Sequence, residues 1–246
     1  MSVEIIPVND FPEASPGDDL VSLVCEAANG VLREGDVLVV THKVVSKAEG
    51  RLLDLSEIEP SSFAESFAAE HGKDPRHVEV VLRESKRVVK MDRGVLITET
   101  RHGFVCANAG VDASNVPGDD KVCLLPLDPD ASAARLHEAL RQRPGVYTPV
   151  IITDSFGRPW REGITNVAIG VAGMKPLADY RGQSDPHGYP LEASVLAVAD
   201  ELASAAELVV GKTSGTPLAL VRNYAYEPGS ESAQSLVMDA SRDLFR

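Results

Sequence analysis

The sequence predicts an α+β, or mixed α/β, fold that contains neither a Rossmann unit nor a P-loop. Short β-branched runs and helix-length amphipathic segments alternate irregularly, which is typical of a mixed sheet. No GxGxxG occurs, and Gly211–Lys212–Thr213 is preceded by Ala206 where a P-loop requires a glycine. With 246 residues, no repeat and no evident linker, we expect a single functional unit that spans residues 1–246.

In the first half of the chain, β-branched residues predict strands and capping residues predict helices. Residues 3–8 and 36–41 are apolar runs typical of buried strands, and a polar loop is expected after the second run. A helix is predicted over residues 18–29, with Gly30 as its C-terminal stop. Helices over residues 61–70 and 75–86 are expected to form a helical hairpin lying over a sheet.

The second half alternates in the same irregular way. Residues 95–98 and 104–107 flank Arg101–His102–Gly103 and predict a β-hairpin. Further elements are predicted as a strand over 122–125, a helix over 130–143, a buried strand over 150–152, a helix over 192–209 and a strand over 218–221. The chain is expected to turn after residue 152, and the glycines of residues 167–173 suggest a close backbone approach.

Composition excludes several classes of partner. The formal net charge of −13 argues against general nucleic-acid binding, which requires clustered Lys and Arg. Cys25, Cys106 and Cys123 form no CxxC pair and are expected to be reduced, apolar residues of an intracellular protein. No apolar run has the length of a membrane span, and no signal peptide is visible. We therefore expect a cytoplasmic protein without membrane contacts.

Four polar loops are the candidate functional segments: residues 42–47, 108–115, 153–161 and 211–215. Asp154 stands between two hydroxyl residues after a buried strand, and open sheets bind ligands at that edge. Together with Asp112 it could hold Mg²⁺ or Mn²⁺, because these cations take oxygen ligands and leave positions for phosphate oxygens. Lys47 and Arg158 or Arg161 would then neutralise phosphate charge.

Each loop also has a purely structural interpretation. Asp112 taken alone is more typical of a turn, and Lys47 of a solvated surface. Gly211 could cap a helix or belong to a phosphate-binding loop. Residues 185–189 could orient a substrate or form a turn. The histidines lack metal-ligand spacing and no GxSxG occurs, so neither zinc nor a hydrolase nucleophile is expected.

Five segments resemble, in order, those of the coenzyme F420-0:γ-glutamyl ligase family. They are GDVLVVTHKVVSKAEGR, NAGVDASNV, LLPLDPDASAARL, IITDSFGRPWREGITNVAIGVAGM and ADELASAAELVVGK. The resemblance implies two intertwined subdomains, a homodimer, and Mg²⁺ or Mn²⁺ assisted by K⁺. It implies transfer of L-glutamate to coenzyme F420-0, then γ-linked glutamates, with GTP converted to GDP and phosphate through an acyl phosphate. Because the resemblance is to a standalone ligase domain, we expect no flavin-reductase-like domain of the kind found in two-domain relatives.

The resemblance also assigns residues. Asp112 and Asp154 match ligands of a first metal, and Ser155 matches a ligand of a second metal. Asp154, Arg158 and Lys47 are the predicted catalytic residues, and Arg158 is predicted from its residue type and position alone. The predicted GTP-contacting positions are Phe11, Pro12, Glu13, Ala14, His42, Lys43, Lys47, Asn115, Gly211, Lys212, Thr213, Ser214 and Gly215.

One position departs from the family pattern. Lys212 stands where a relative has a second-metal glutamate, which puts a two-metal site in question. The alternatives are a related amide ligase with another acceptor or amino acid, and a nucleotide-binding protein without turnover.

Overall fold

The computed structural model describes residues 2–116, 118, 120–143 and 145–243, and it confirms the predicted α+β fold class. The strands are β1 (Glu4–Val8), β2 (Val37–Thr41), β3 (Leu52–Asp54), β4 (Ser85–Asp92), β5 (Val95–Thr100), β6 (Val105–Ala107), β7 (Lys121–Cys123), β8 (Val150–Arg158), β9 (Arg161–Ala172), β10 (Ala178–Asp179), β11 (Val195–Leu196) and β12 (Leu218–Arg222). The helices are α1 (Leu20–Ala27), α2 (His42–Ala48), α3 (Ser62–His71), α4 (Pro75–Glu84), α5 (Pro129–Gln142) and α6 (Val198–Val210).

A five-stranded sheet in the order β1-β12-β2-β8-β9 forms the centre of the fold. Strands β2 and β8 are parallel, and the other neighbours in this sheet are antiparallel. Leu38 and Val40 of β2 pack on one face with α1 and α5, whereas Val37 and Val39 pack on the other face with α6. Both faces are covered, which explains the continuous apolar run of β2.

The segment that connects β3 to β7 forms a second core. Strands β3 and β7 pair antiparallel, and β4, β5 and β6 form a three-stranded sheet. Helices α3 and α4 pack on each other as the predicted helical hairpin, and their apolar residues enclose Leu96 of β5. Helix α3 is capped by Ser61 and ends at Gly72, whose φ of 63° lies in the left-handed region. The predicted hairpin of β5 and β6 is also confirmed.

Two elements of this half of the chain differ from the predictions. Residues 42–48 form helix α2 directly after β2, not a loop, because Val44 and Val45 find a buried position against the first core. Helix α4 ends at Glu84, and the chain continues as strand β4, which was not predicted. Strand β4 is a largely exposed edge strand, so its alternation of charged and apolar residues is weak.

Strand β8 is longer than the strand over residues 150–152 that the sequence predicted. Instead of turning after residue 152, it continues to Arg158 and forms a long hairpin with β9. The expected close approach within residues 167–173 is confirmed at Gly170, where a Cβ atom would lie 2.3 Å from the carbonyl oxygen of Pro129. Helix α6 begins at Val198 rather than at residue 192, because Val195 and Leu196 form β11 and pair with β10.

The outer edge of β9 is covered by side chains. Asp200 Oδ1 accepts a hydrogen bond from the Ala168 amide, and Asp130 Oδ1 accepts one from the Val171 amide, both at 2.8 Å. These carboxylates occupy backbone donors that would otherwise be open to another strand. Among the described residues, no helix combines the length and apolar character required to cross a membrane.

Candidate functional site

A cavity of about 620 Å³ opens at the carboxyl end of β2, where the parallel strand β8 stops pairing with it. The following predicted site residues line it: Phe11, Pro12, Glu13, Ala14, His42, Lys43, Lys47, Asp112, Asn115, Asp154, Ser155, Gly211, Lys212 and Gly215. The structure therefore brings five separate segments of the chain to one place. Open sheets bind ligands at this edge, since loops and helix starts converge there.

Three predicted residues lie outside the lining of the cavity. Arg158 is at the tip of the β8–β9 hairpin, where its Nη2 donates to the carbonyl oxygen of Glu162 at 3.2 Å. Thr213 is in the loop that follows α6. In the same loop, the Ser214 hydroxyl donates to the carbonyl oxygen of Val210 and so closes the end of the helix. The candidate loops also contribute Val44, Ser114 and Thr153 to the lining, and Val210 and Thr216 flank the fourth loop there. The lining residues that the sequence did not predict are Thr41, Val116, Ile164, Asn166, Glu207 and Pro217.

Helix α2 supplies two ammonium groups to the cavity wall. Lys47 is only 6% exposed, so it is not a solvated surface lysine, and its Nζ donates to Glu13 Oε1. Lys43 Nζ donates to Asp112 Oδ2 at 2.6 Å and to the Ser114 hydroxyl at 2.7 Å. Both lysines lie on the first turns after β2, so the strand and its helix fix the positions of their ammonium groups.

Asp112 is held by its backbone and by its side chain. Its amide and carbonyl groups pair with Cys123, and its Oδ1 accepts the Ser114 amide at 2.8 Å. Burial raises the pKa of the Asp112 carboxyl, but the hydrogen bonds from Lys43 and Ser114 outweigh burial and hold this pKa below its ordinary value. The Asp112 carboxylate is therefore charged at neutral pH.

His42 and Asp154 directly follow the last residue pair of β2 and β8, and their side chains lie beside each other. His42 Nε2 lies 3.3 Å from Asp154 Oδ1, and the His42 ring is 2% exposed. Although the two atoms are close, Nε2 makes no well-directed hydrogen bond with a described residue. The other ring nitrogen lies 3.3 Å from the Ser46 hydroxyl, and the Asp154 carboxylate accepts the Ser155 amide at 2.7 Å.

A closed ring of hydrogen bonds joins four side chains at the cavity wall. Lys212 Nζ donates to the Ser155 hydroxyl at 2.6 Å, and this hydroxyl donates to Asn166 Oδ1 at 2.7 Å. Asn166 Nδ2 donates to Glu207 Oε2 at 2.8 Å, and Glu207 Oε1 lies 2.9 Å from Lys212 Nζ. The sequence did not predict Asn166 or Glu207. Asn166 stands opposite Ser155 in the β8–β9 register, and only that register reveals it.

The donor chemistry of the cavity suits one hard cation completed by ligand oxygens, and this cation would compete with Lys43 Nζ for Asp112 Oδ2. Within the described part of the chain, no three His, Cys, Asp or Glu side chains are grouped as a metal site. Asp112 and Asp154 nevertheless both line the cavity, and Mg²⁺ binds through one or two carboxylates together with waters and phosphates. A second cation at Ser155 and Glu207 fits less well, because the Lys212 ammonium already contacts both side chains.

Cys106 is a buried thiol close enough to Asp154 to be affected by its charge, and it is unsuited to nucleophilic chemistry. Burial, together with the neighbouring Asp154 carboxylate, raises the pKa of Cys106 to about 12. The thiol is therefore protonated at neutral pH. Residues 185–189 form an exposed turn outside the lining of the cavity, in which Asp185 Oδ1 accepts the amides of His187 and Tyr189.

The sheet-edge cavity, with ammonium groups from Lys43, Lys47 and Lys212 beside carboxylates, has the chemistry to receive an anionic ligand such as a phosphate. Residues 10–223 match the family model of the F420-0:gamma-glutamyl ligase. The chain belongs to the F420-0:gamma-glutamyl ligase family, as the sequence resemblance predicts.

Three relatives extend the similarity over the full chain. A coenzyme F420:L-glutamate ligase of Methanopyrus kandleri is 49% identical over 100% of this chain and 98% of its own length. The ligases of the same name from Methanothermobacter thermautotrophicus and Haloarcula marismortui are 44% and 42% identical. They cover 100% and 99% of this chain, and 100% and 96% of their own lengths.

Proposed function

We propose that this protein is a GTP-dependent ligase that adds L-glutamate, and then γ-linked glutamates, to coenzyme F420-0. One observation carries the proposal: Asp112, Asp154, Lys43, Lys47 and Lys212, from four segments, line one cavity at a sheet edge. This set combines carboxylates for a cation with ammonium groups for phosphates. The family membership supports the acceptor and the amino acid, since the relatives carry those substrates in their names.

In the proposed reaction, an oxygen of the acceptor carboxylate attacks the γ-phosphorus of GTP, and GDP leaves. The glutamate amine then attacks the carbonyl carbon of the acyl phosphate, phosphate leaves, and the amine loses a proton. Lys43, Lys47 and Lys212 stabilise the charge on the phosphoryl oxygens. His42 is buried beside Asp154, with Nε2 3.3 Å from Oδ1 of that carboxylate. The chain supplies no covalent nucleophile in this scheme, in accord with the protonated state of Cys106.

Asp112 and Asp154, with the Ser155 hydroxyl beside them, are the residues that would hold Mg²⁺ or Mn²⁺. When it is bound, the cation supplies charge neutralisation on the phosphates. The Lys212 ammonium takes the place of a second cation, since it contacts Ser155 and Glu207 directly. Potassium dependence, a homodimer and a cytoplasmic location are parts of the same proposal, and they rest on the family resemblance. Arg158 keeps its predicted role at the phosphates only if the hairpin tip moves towards the cavity.

The test is a mass-spectrometric assay with purified protein, F420-0, L-glutamate, Mg²⁺ or Mn²⁺, and either GTP or ATP. We expect glutamate-sized additions with GTP, and at least a hundredfold loss of turnover in Asp154→Asn, because the cation loses a charged ligand. Asp185→Asn is the matched control, since Asp185 is a loop carboxylate outside the cavity. Full activity of Asp154→Asn contradicts the assigned role. Consumption of GTP without any addition of glutamate contradicts the assignment of F420-0 as the acceptor.

A further inference from the structure

The β8–β9 hairpin extends beyond the five-stranded sheet. Strand β8 pairs with β2 only through Thr153, so the outer part of the hairpin is a free two-stranded ribbon. All of residues 157–164 are exposed, and we call this segment the arm. The arm begins where the cavity lining ends, and Ile164 belongs to both.

The cavity-facing side of the arm is flat and apolar. Gly157 stands directly opposite Ile164, two positions outward from the pair of Ser155 and Asn166 that lines the cavity. Residues two apart on a strand share a face, so Gly157 and Ile164 continue the cavity wall outward. Ile164 is 60% exposed, and a Cβ atom added to Gly157 would meet no heavy atom within 4 Å. Gly157 and Ile164 therefore form an open shelf, with bare backbone beside an aliphatic side chain.

The end of the arm is basic. Arg158 and Arg161 stand opposite each other in the register, although like charges in that position repel. Among the described residues, neither guanidinium forms an ion pair, and Arg158 donates to the Glu162 carbonyl oxygen. A bound anionic group would remove the repulsion and would use the two guanidinium groups as donors.

Trp160, at the turn of the arm, has a backbone conformation that would favour glycine over a large side chain. Its φ of 56° lies in the left-handed region that favours glycine, and its side chain is 82% exposed. Trp160 already has a contact within the protein, and most of its surface stays exposed, which suits further contact with a planar ligand.

We propose that the arm binds a planar aromatic ring system that carries an anionic group, with the ring over the shelf and the anion at Arg158 and Arg161. The inference rests on the proposed function, in which the acceptor is a deazaflavin, a planar ring system, with an anionic phospholactyl tail. The nucleotide also combines a ring with phosphates, but its phosphates are expected among the lysines inside the cavity. The acceptor has only to place its carboxylate there, so its ring can lie outside, on the arm.

Gly157→Leu tests the shelf, because the fold has room for the side chain and Gly157 is not among the glycines with positive φ. We expect the KM for F420-0 to rise at least tenfold, with the Kd for GTP within twofold of the parent value. Gly157→Ala should give a smaller rise in the same KM. Ile164→Ser should also raise it, whereas Leu208→Ser, at an 82% exposed leucine outside the cavity lining, should not.

Trp160→Gly separates binding from folding. Because glycine suits the positive φ, the Tm should not fall, while the KM for F420-0 should rise. An unchanged KM in Gly157→Leu and Ile164→Ser overturns the inference and leaves the ligase function intact. A weaker Kd for GTP instead assigns the shelf to the nucleotide base. A change of molecular mass by light scattering with an unchanged KM assigns the arm to contact between copies of the chain. If the parent protein adds no glutamate to F420-0, the proposed function itself fails.

Discussion

Replacing Lys212 by methionine should weaken nucleotide binding far more than it weakens the fold. Lys212 Nζ contacts the Ser155 hydroxyl at 2.6 Å and Glu207 Oε1 at 2.9 Å, but the Lys212 side chain is 52% exposed. Solvent screens such a pair, so the free energy of unfolding should fall by less than about 1 kcal/mol. A charged hydrogen bond to a phosphate contributes about 1.5–3 kcal/mol, so the Kd for GTP should rise roughly 10- to 150-fold.

Calorimetric titration with GTP and thermal melts of the same samples measure both quantities. Lys175→Met is the matched control, because Lys175 also pairs with a glutamate, Glu227, and lies outside the cavity lining. It should leave the Kd for GTP unchanged. A Kd within twofold of the parent value in Lys212→Met would refute the phosphate role of Lys212. A rise in the number of bound metal ions in Lys212→Met would show that a second cation enters when the ammonium is removed.

Two predictions concern the scaffold of the site. Arg222→Met should lower the free energy of unfolding by about 3–5 kcal/mol and the Tm by on the order of 10 °C, because Asp36, 1% exposed, keeps an unpaired charge. Differential scanning calorimetry measures this loss, and a decrease of the Tm by less than about 2 °C would contradict the prediction. Asp74→Ala removes the cap of α4 and should cost about 1 kcal/mol at pH 7 in urea unfolding. Hydrogen bonds from Arg76 hold the pKa of Asp74 below its ordinary value, so this carboxylate stabilises the fold above the unfolded pKa. The difference between parent and variant should therefore shrink as the pH falls through the lowered pKa, and a constant difference down to pH 2 would contradict the assignment.

The position of Asp154 and Ser155 at the edge of the sheet could be predicted because a buried β-branched run precedes them. The end of that run does not end the strand, however, because β8 finds a partner in β9 well beyond the central sheet. Helix α2 was missed for a related reason. Val44 and Val45 have a low helix propensity, and burial against the first core decides their conformation.

The ring of side chains at the cavity could be predicted only in part. Ser155 and Lys212 come from segments whose turn and hydroxyl residues already indicated a ligand site. Glu207 is a charged residue in a helix of ordinary amphipathic pattern, and nothing in that pattern distinguishes it from a solvated residue. Its role depends on the packing of α6 against β9, which brings Glu207 to Asn166 at 2.8 Å.

The central claim is tested most directly with F420-0 whose terminal carboxylate carries oxygen-18. Purified protein is supplied with this acceptor, GTP and L-glutamate, and both products are analysed by mass spectrometry. The proposed reaction predicts a glutamylated acceptor and one labelled oxygen in the released phosphate, because the carboxylate oxygen leaves with the phosphoryl group. GTP hydrolysis that yields only unlabelled phosphate and an unchanged acceptor would contradict the account.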